Sequence, residues 1–345
     1  CDRFAPLSDC RELARFHSIM PSNPTSGSNT LVKYLIWLYL FFLIFEGALR
    51  KWIVPGLSDP LLIIRDPLAL VIYAVAFQRL RKSVINPYTI ALGIIGGLSY
   101  ALTLVAGHGN LFVATYGLRV LVLHFPMVFV MGYFLTKEDV VQIGKVFLLI
   151  AIPMSILLIL QFGSPQSAFV NRAPGGGTGM SISGALGKYR PPGTFSFITG
   201  VVQFYTICAG FLMSSLFERR YFPVWVTVCV VGAVLIAIPI SISRTLFLSA
   251  AIVLGAGMFG VQRVGESFKG LARLAIVASI GLLIASQFEA FDEGLEAFTH
   301  RWETSTTEER GGFEEAILGR FFGQLIDPIL KAPDIGLTGW GIGIG

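Results

Sequence analysis

The chain is 345 residues long, with 54 % hydrophobic and 14 % charged residues, a net charge of +5 and a mean hydropathy of +0.72. That balance excludes an ordinary water-soluble domain. No nucleic-acid partner is expected.

Residues 1–30 are polar, carry Pro21, Pro24 and a Ser/Gly run, and read as a flexible cytosolic tail without a cleavable signal peptide. Nine apolar stretches follow, near Leu31–Leu49, Pro67–Phe77, Tyr88–Ala106, Leu111–Leu135, Val140–Phe162, Ser196–Phe217, Tyr221–Ile240, Thr245–Val261 and Leu271–Phe288. A bilayer core about 30 Å thick takes roughly 20 apolar residues per helical crossing; the second stretch is short, and the fourth is long enough to tilt. Period-2 alternation is absent, which favours helices over a β-barrel. The expected fold is all-α, a polytopic integral membrane bundle of about nine transmembrane helices over 31–288. It has an external Gly-rich loop at 163–195 and a large external loop, 289–345, near the C-terminus. The chain does not begin with Met and ends on Gly343-Ile344-Gly345 inside a motif, so a C-terminally truncated fragment is expected.

Placing the N-terminus in the cytosol puts Lys33, Arg79, Arg81, Lys82, Lys137, Arg219, Arg220 and Arg263 inside, the positive-inside pattern. The segment from Glu289 onward then lies outside, and it holds eleven of the 21 acids. External cations remain: Arg50, Lys51, Arg65, Arg172, Lys188, Arg190, Arg244, Arg301, Arg310 and Arg320, with Arg119 inside the fourth stretch. A charge at mid-bilayer costs about 2.5–3.5 kcal/mol on insertion scales, so each needs a partner, a wet cavity or an anionic ligand. Pairing with Glu46, Asp59, Asp66 or the late carboxylates is the simpler reading. Cys1, Cys10, Cys208 and Cys229 have neither metal-ligand nor redox spacing, and the four histidines are scattered, so neither metal nor other cofactor is expected.

Three segments carry chemistry. Asn171–Gly193 is a 23-residue loop with seven glycines that runs into Tyr189-Arg190-Pro191-Pro192-Gly193, either a functional loop or a mobile flap. Ser241-Ile242-Ser243-Arg244-Thr245 joins two apolar stretches with almost no loop, and a guanidinium held there suits bidentate phosphate binding; snorkelling is the competing reading. Phe313, Ile317, Phe321 and Leu325 mark an amphipathic helix carrying Arg320, preceded by Arg310 and followed by Gly339-Trp340-Gly341-Ile342-Gly343. That glycine repeat follows no strand, so a dinucleotide fold is rejected.

In this order the segments resemble the bacterial O-antigen polymerase and O-antigen ligase family of membrane glycosyltransferases. The resemblance rests on Ser243-Arg244 opening a span, on Arg320 on a helix of the large loop, and on the Pro-then-Gly-x-Gly-x-Gly close. Phe45-Glu46-Gly47-Ala48-Leu49-Arg50-Lys51-Trp52 and Ile64-Arg65-Asp66 also look like the start of polysaccharide polymerases. The resemblance implies a multi-pass protein of the bacterial inner membrane that elongates glycan from an undecaprenyl-pyrophosphate carrier on the periplasmic or extracellular face. It needs no metal or nucleotide sugar, and it works in the bilayer beside flippase and chain-length regulator proteins. Arg244 and Arg320 are then the expected catalytic residues, with Arg190, Arg310, Arg119 and Arg65 as substrate-binding residues. Candidate bases are His300, Glu303 and Glu46, none of them assigned; His124 reads as a packing residue. Ligation of glycan to lipid A core is the alternative within the family. A transporter or flippase for the lipid-linked oligosaccharide is the alternative outside it, given Pro126, Pro153 and Pro239 inside spans.

Overall fold

The structure is a computed structural model that describes residues 29–177, 183–218, 222–260, 264–308, 326, 330 and 341–343. The tail before residue 29, the amphipathic segment 313–325, Arg310 and Arg320 lie outside the described residues.

Among the described residues regular structure is helical throughout. In chain order the helices are α1 (Asn29–Ala48), α2 (Ser58–Leu62), α3 (Arg65–Arg79), α4 (Arg81–Val84), α5 (Pro87–Val105), α6 (Leu111–Arg119) and α7 (Met127–Phe134). There follow α8 (Lys137–Gly163), α9 (Ile198–Glu218), α10 (Val224–Ile240), α11 (Arg244–Gly260), α12 (Val264–Ala285) and α13 (Glu289–Glu308). Local signals place several starts. Asn86 caps α5 with Thr89 closing a reciprocal box and Pro87 in the first turn, while Thr136 and Asp139 do the same for α8.

Two helices continue as widened π-helical turns. Leu49–Ile53 extends α1, and Val120–His124 extends α6. The second has a cause in the sequence: Pro126 brings no N–H and crowds the preceding turn, and Phe125 N–H instead reaches back five residues to Val120 O at 3.0 Å.

Among the described residues five helical runs are long and apolar enough to cross a membrane: Asn29–Ile53, Pro87–Val105, Leu111–Phe134, Lys137–Gly163 and Ile198–Ser215. A sixth results if Pro55–Leu62 and Arg65–Arg79, bent by 40°, count as one. The expected nine crossings are thus not confirmed among the described residues. The apolar helices α10 and α11 have 17 residues each, about 25 Å at 1.5 Å per residue, short of a full hydrocarbon core. Outward faces are strongly apolar, with Ile94 66 % and Leu98 61 % exposed on α5, which suits hydrocarbon better than water.

Packing has two centres. One joins α1, α3 and α7 through Val32, Ile36, Ile72 and Val130. The larger joins α8, α9 and α10 through Leu148, Leu158, Val201, Tyr205 and Val230. At its heart Ser155 Oγ meets Tyr205 Oη at 2.6 Å and donates to Ala233 O at 2.7 Å, so both hydroxyls are satisfied.

Helix direction alternates, so the end of α1, the 164–197 loop, the Ser241–Ser243 turn and the start of α13 meet at one end. Lys33 pairs with Asp139 at 2.5 Å at the other. Close approach at the first end requires Gly47, where a Cβ would lie 2.3 Å from Thr194 O and 2.8 Å from Ser196 N. Backbone cannot swing aside as a side chain does. Gly47→Ala is expected to destabilise by about 1–3 kcal/mol, read as a lower unfolding midpoint in detergent. Gly132→Ala, with nothing within 4 Å of its added methyl, is the control and should be neutral or slightly stabilising.

Candidate functional site

The site begins with a strained turn. Pro239 sits one residue before the end of α10, and the chain reverses through Ser241 and Ile242 into α11, which Arg244 opens. Ile242 is fully buried with φ +46°, a left-handed conformation that costs a β-branched residue more than almost any other. Its carbonyl accepts a hydrogen bond from Arg190 Nη2 at 2.9 Å. Two of the predicted arginines, Arg190 from the Gly-rich loop and Arg244 at the helix start, therefore share one three-residue turn.

The loop is shaped to reach it. Residues 184–188 fold back on themselves, with Gly184 N–H donating to Lys188 O at 2.9 Å and with left-handed Leu186 and Gly187 at the tip. Gly184 has no room for a side chain, because a Cβ would lie 2.5 Å from Ile242 Cδ1. Its carbonyl accepts from Arg301 Nη1 of α13 at 2.9 Å, and Lys188 pairs with Glu293 of the same helix at 2.6 Å. Arg301 thereby brings a third guanidinium to the Gly-rich loop. Beside it Phe247, Phe298 and Trp302 form an aromatic group with centroids 5.9–6.0 Å apart.

The other face of the loop is fixed by buried cations. On the widened turn after α1, Arg50 and Lys51 both point inward, 8 % and 1 % exposed. Lys51 Nζ donates to Gly193 O at 3.1 Å and to Phe195 O. Arg50 donates to Ser58 O at 2.9 Å and Ser196 Oγ at 3.1 Å. Gln161 closes on Gly193 from α8, accepting from its N–H at 2.8 Å and donating to its O at 3.2 Å, and Thr194 donates to Ile44 O at 2.7 Å. The Pro191-Pro192-Gly193 segment is thus held from two helices, which sets the place of Arg190 three residues earlier.

The remaining predicted residues fall elsewhere. Arg65 Nε is bonded to Glu46 at 2.8 Å, and Glu46 also faces Arg50 Nη1 at 3.5 Å. Arg119 Nε lies between the two oxygens of Asp66, at 2.8 and 2.7 Å, and Arg119 Nη2 donates to Leu62 O. His124 Nε2 lies 3.1 Å from Asp66 Oδ1 without forming a hydrogen bond, and its Nδ1 is 3.0 Å from Tyr39 Oη. Of the candidate bases, Glu46 is held by two guanidiniums, and His300 and Glu303 lie on the exposed side of α13. Of the glycine repeat, Gly341–Gly343 are seated on the α5–α6 hairpin. Ile342 N–H donates to Thr103 Oγ1 at 2.9 Å, His108 Nε2 meets Ile342 O at 3.1 Å, and a Cβ on Gly343 would lie 2.0 Å from Val113 O. Close packing uses these glycines.

Sequence reading missed the roles of Lys51, Gln161 and Arg301. Lys51 stood among the external cations, but only the widened turn directs it inward. No group of His, Cys, Asp or Glu suited to a metal ion occurs among the described residues.

Together these features define an all-helical protein whose long apolar helices are compatible with a membrane protein and which gathers cationic side chains at one end. No protein-family model, curated protein or solved structure matches the chain.

Proposed function

We propose that this chain is a metal-independent membrane glycosyltransferase that polymerises undecaprenyl-pyrophosphate-linked oligosaccharide repeats on the external face of the bacterial inner membrane. The observation that carries this reading is the hydrogen bond from Arg190 to the carbonyl of Ile242, which seats a second guanidinium on the turn presenting Arg244. In the transfer an acceptor hydroxyl oxygen bonds to the anomeric carbon as the bond to the pyrophosphate oxygen breaks. The bonding pair leaves with the phosphate, and the hydroxyl proton balances the new anion. Fixed guanidiniums offset the charge that develops on that oxygen and need no reorganisation to do so. Arg310 and Arg320 join this role from the large loop, while Arg65 and Arg119, tied to Glu46 and Asp66, take no part in it. The aromatic group of Phe247, Phe298 and Trp302 offers flat faces to the glycan beside the turn. Orientation follows the basic residues, with Lys33, Arg79, Arg81 and Lys82 at the cytosolic end.

The test is transfer of a fluorescent undecaprenyl-pyrophosphate oligosaccharide in proteoliposomes containing EDTA. Lengthened glycan is expected, reduced about a hundredfold by Arg244→Ala, the scale of losing one fixed donor to a developing oxyanion. Movement of label between leaflets with glycan length unchanged would make the protein a flippase and end this reading.

A further inference from the structure

A cleft of about 670 Å³ opens between α1, α9 and the α2–α3 segment, and the transfer chemistry leaves it unused. Its rim carries Glu46, Arg50, Asp59, Arg65 and Ser196. Below the rim the walls are Leu43 and Ile44 of α1, Phe147 of α8, and Phe204 and Ile207 of α9. Ile207 lies nine residues past the start of α9, about 14 Å along its axis at 1.5 Å per residue. The cleft is therefore polar where the helices end and apolar at hydrocarbon depth. That is the profile of an amphiphile.

Its charges narrow the occupant. Arg50 and Arg65 share the single carboxylate of Glu46, at 3.5 and 2.8 Å, which leaves one positive charge in excess among the three. Asp59, exposed in the first turn of α2, brings the four lining charges to zero. A pyrophosphate with two or more negative charges would be undercompensated there. A phosphodiester is matched by the guanidinium pair, and a cationic group linked to it is matched by Asp59.

We infer that this cleft seats one zwitterionic glycerophospholipid, its phosphate at Arg50 and Arg65, its ammonium at Asp59 and one acyl chain along Phe204 and Ile207. The site requires only that the protein resides in a bilayer and is independent of the glycan chemistry.

Native mass spectrometry of the delipidated protein titrated with defined lipids tests it. One phosphatidylethanolamine is expected to bind per chain, about tenfold tighter than diacylglycerol of the same chains, the worth of one charge-assisted hydrogen bond. Arg65→Gln should remove most of that preference. Asp59→Asn should abolish the preference for phosphatidylethanolamine over phosphatidylglycerol. Gln203→Trp fills the cleft from the exposed side of α9 without touching a rim charge and should eliminate binding of the chain. Equal retention of diacylglycerol would overturn the proposal, as would binding undiminished in Gln203→Trp. So would displacement by free phosphorylethanolamine, which would show that the apolar walls hold nothing. Displacement by equimolar undecaprenyl pyrophosphate would assign the cleft to the donor instead.

Discussion

Asp66→Ala is expected to cost about 3–5 kcal/mol of stability, the range for breaking a buried ion pair from one side. Asp66 sits in the first turn of α3, where the helix dipole already favours an acid, and it receives Arg119 Nε on both oxygens with His124 Nε2 at 3.1 Å. Arg119 is 12 % exposed in its side chain and lies on a helical run long and apolar enough to cross a membrane. Without Asp66 its guanidinium keeps only the bond to Leu62 O and the face of Tyr116, 4.9 Å away. Removing the second charge removes the penalty. The double variant Asp66→Ala/Arg119→Met should therefore recover much of the loss, because a hydrophobic replacement of a buried pair is often neutral. Unfolding free energies in mixed SDS micelles provide the comparison. Additive losses in the double variant would show that the pair is not coupled.

Lys51→Met should cost about 3 kcal/mol and loosen the Gly-rich loop. The methionine keeps the apolar stem, so the loss isolates the ammonium. Gly193 O and Phe195 O each lose a charge-assisted donor, at about 1.5–3 kcal/mol apiece, offset in part because the variant no longer desolvates a charge. Arg190 lies three residues before the first of these carbonyls, so its hold on Ile242 O should weaken as well. Limited trypsin digestion reads this directly: cleavage after Lys188, half-buried and paired with Glu293, is expected to accelerate. An unchanged cleavage rate would mean that Gln161 and Thr194 hold the segment without Lys51.

The sequence shows where helices run more reliably than how many cross. Apolar runs bounded by Asn86, Thr136 and Pro165 predict helices within a few residues of those observed, because capping side chains and proline act locally. Crossing number depends on how many helical residues each run supplies, and α10 and α11 have 17 each, about 25 Å. The Ser241–Arg244 turn was legible, since an arginine between two apolar runs with no loop has few places to go. That Arg119 needs a partner was legible too, and Asp66 was among those named. The inward aim of Arg50 and Lys51 was not, for it follows from a widened turn that composition does not encode. Nor was the cleft, which requires α1, α2, α8 and α9 to be in place at once.

The hold of α1 on Gly193, Thr194, Phe195 and Ser196 has a consequence for biosynthesis. Lys51 and Gly193 are 142 residues apart, and Thr194 and Ile44 are 150. At about 5–20 residues per second, α1 is made roughly 7–30 s before its partners exist. Through that interval the Arg50–Lys51 doublet has no loop to bury it and must remain hydrated. A nascent chain stopped after α8 should therefore leave both side chains reachable by amine- and guanidine-directed reagents. Their protection should begin only once α9 has packed beside α1 and α8, making this doublet a natural timer for assembly of the bundle.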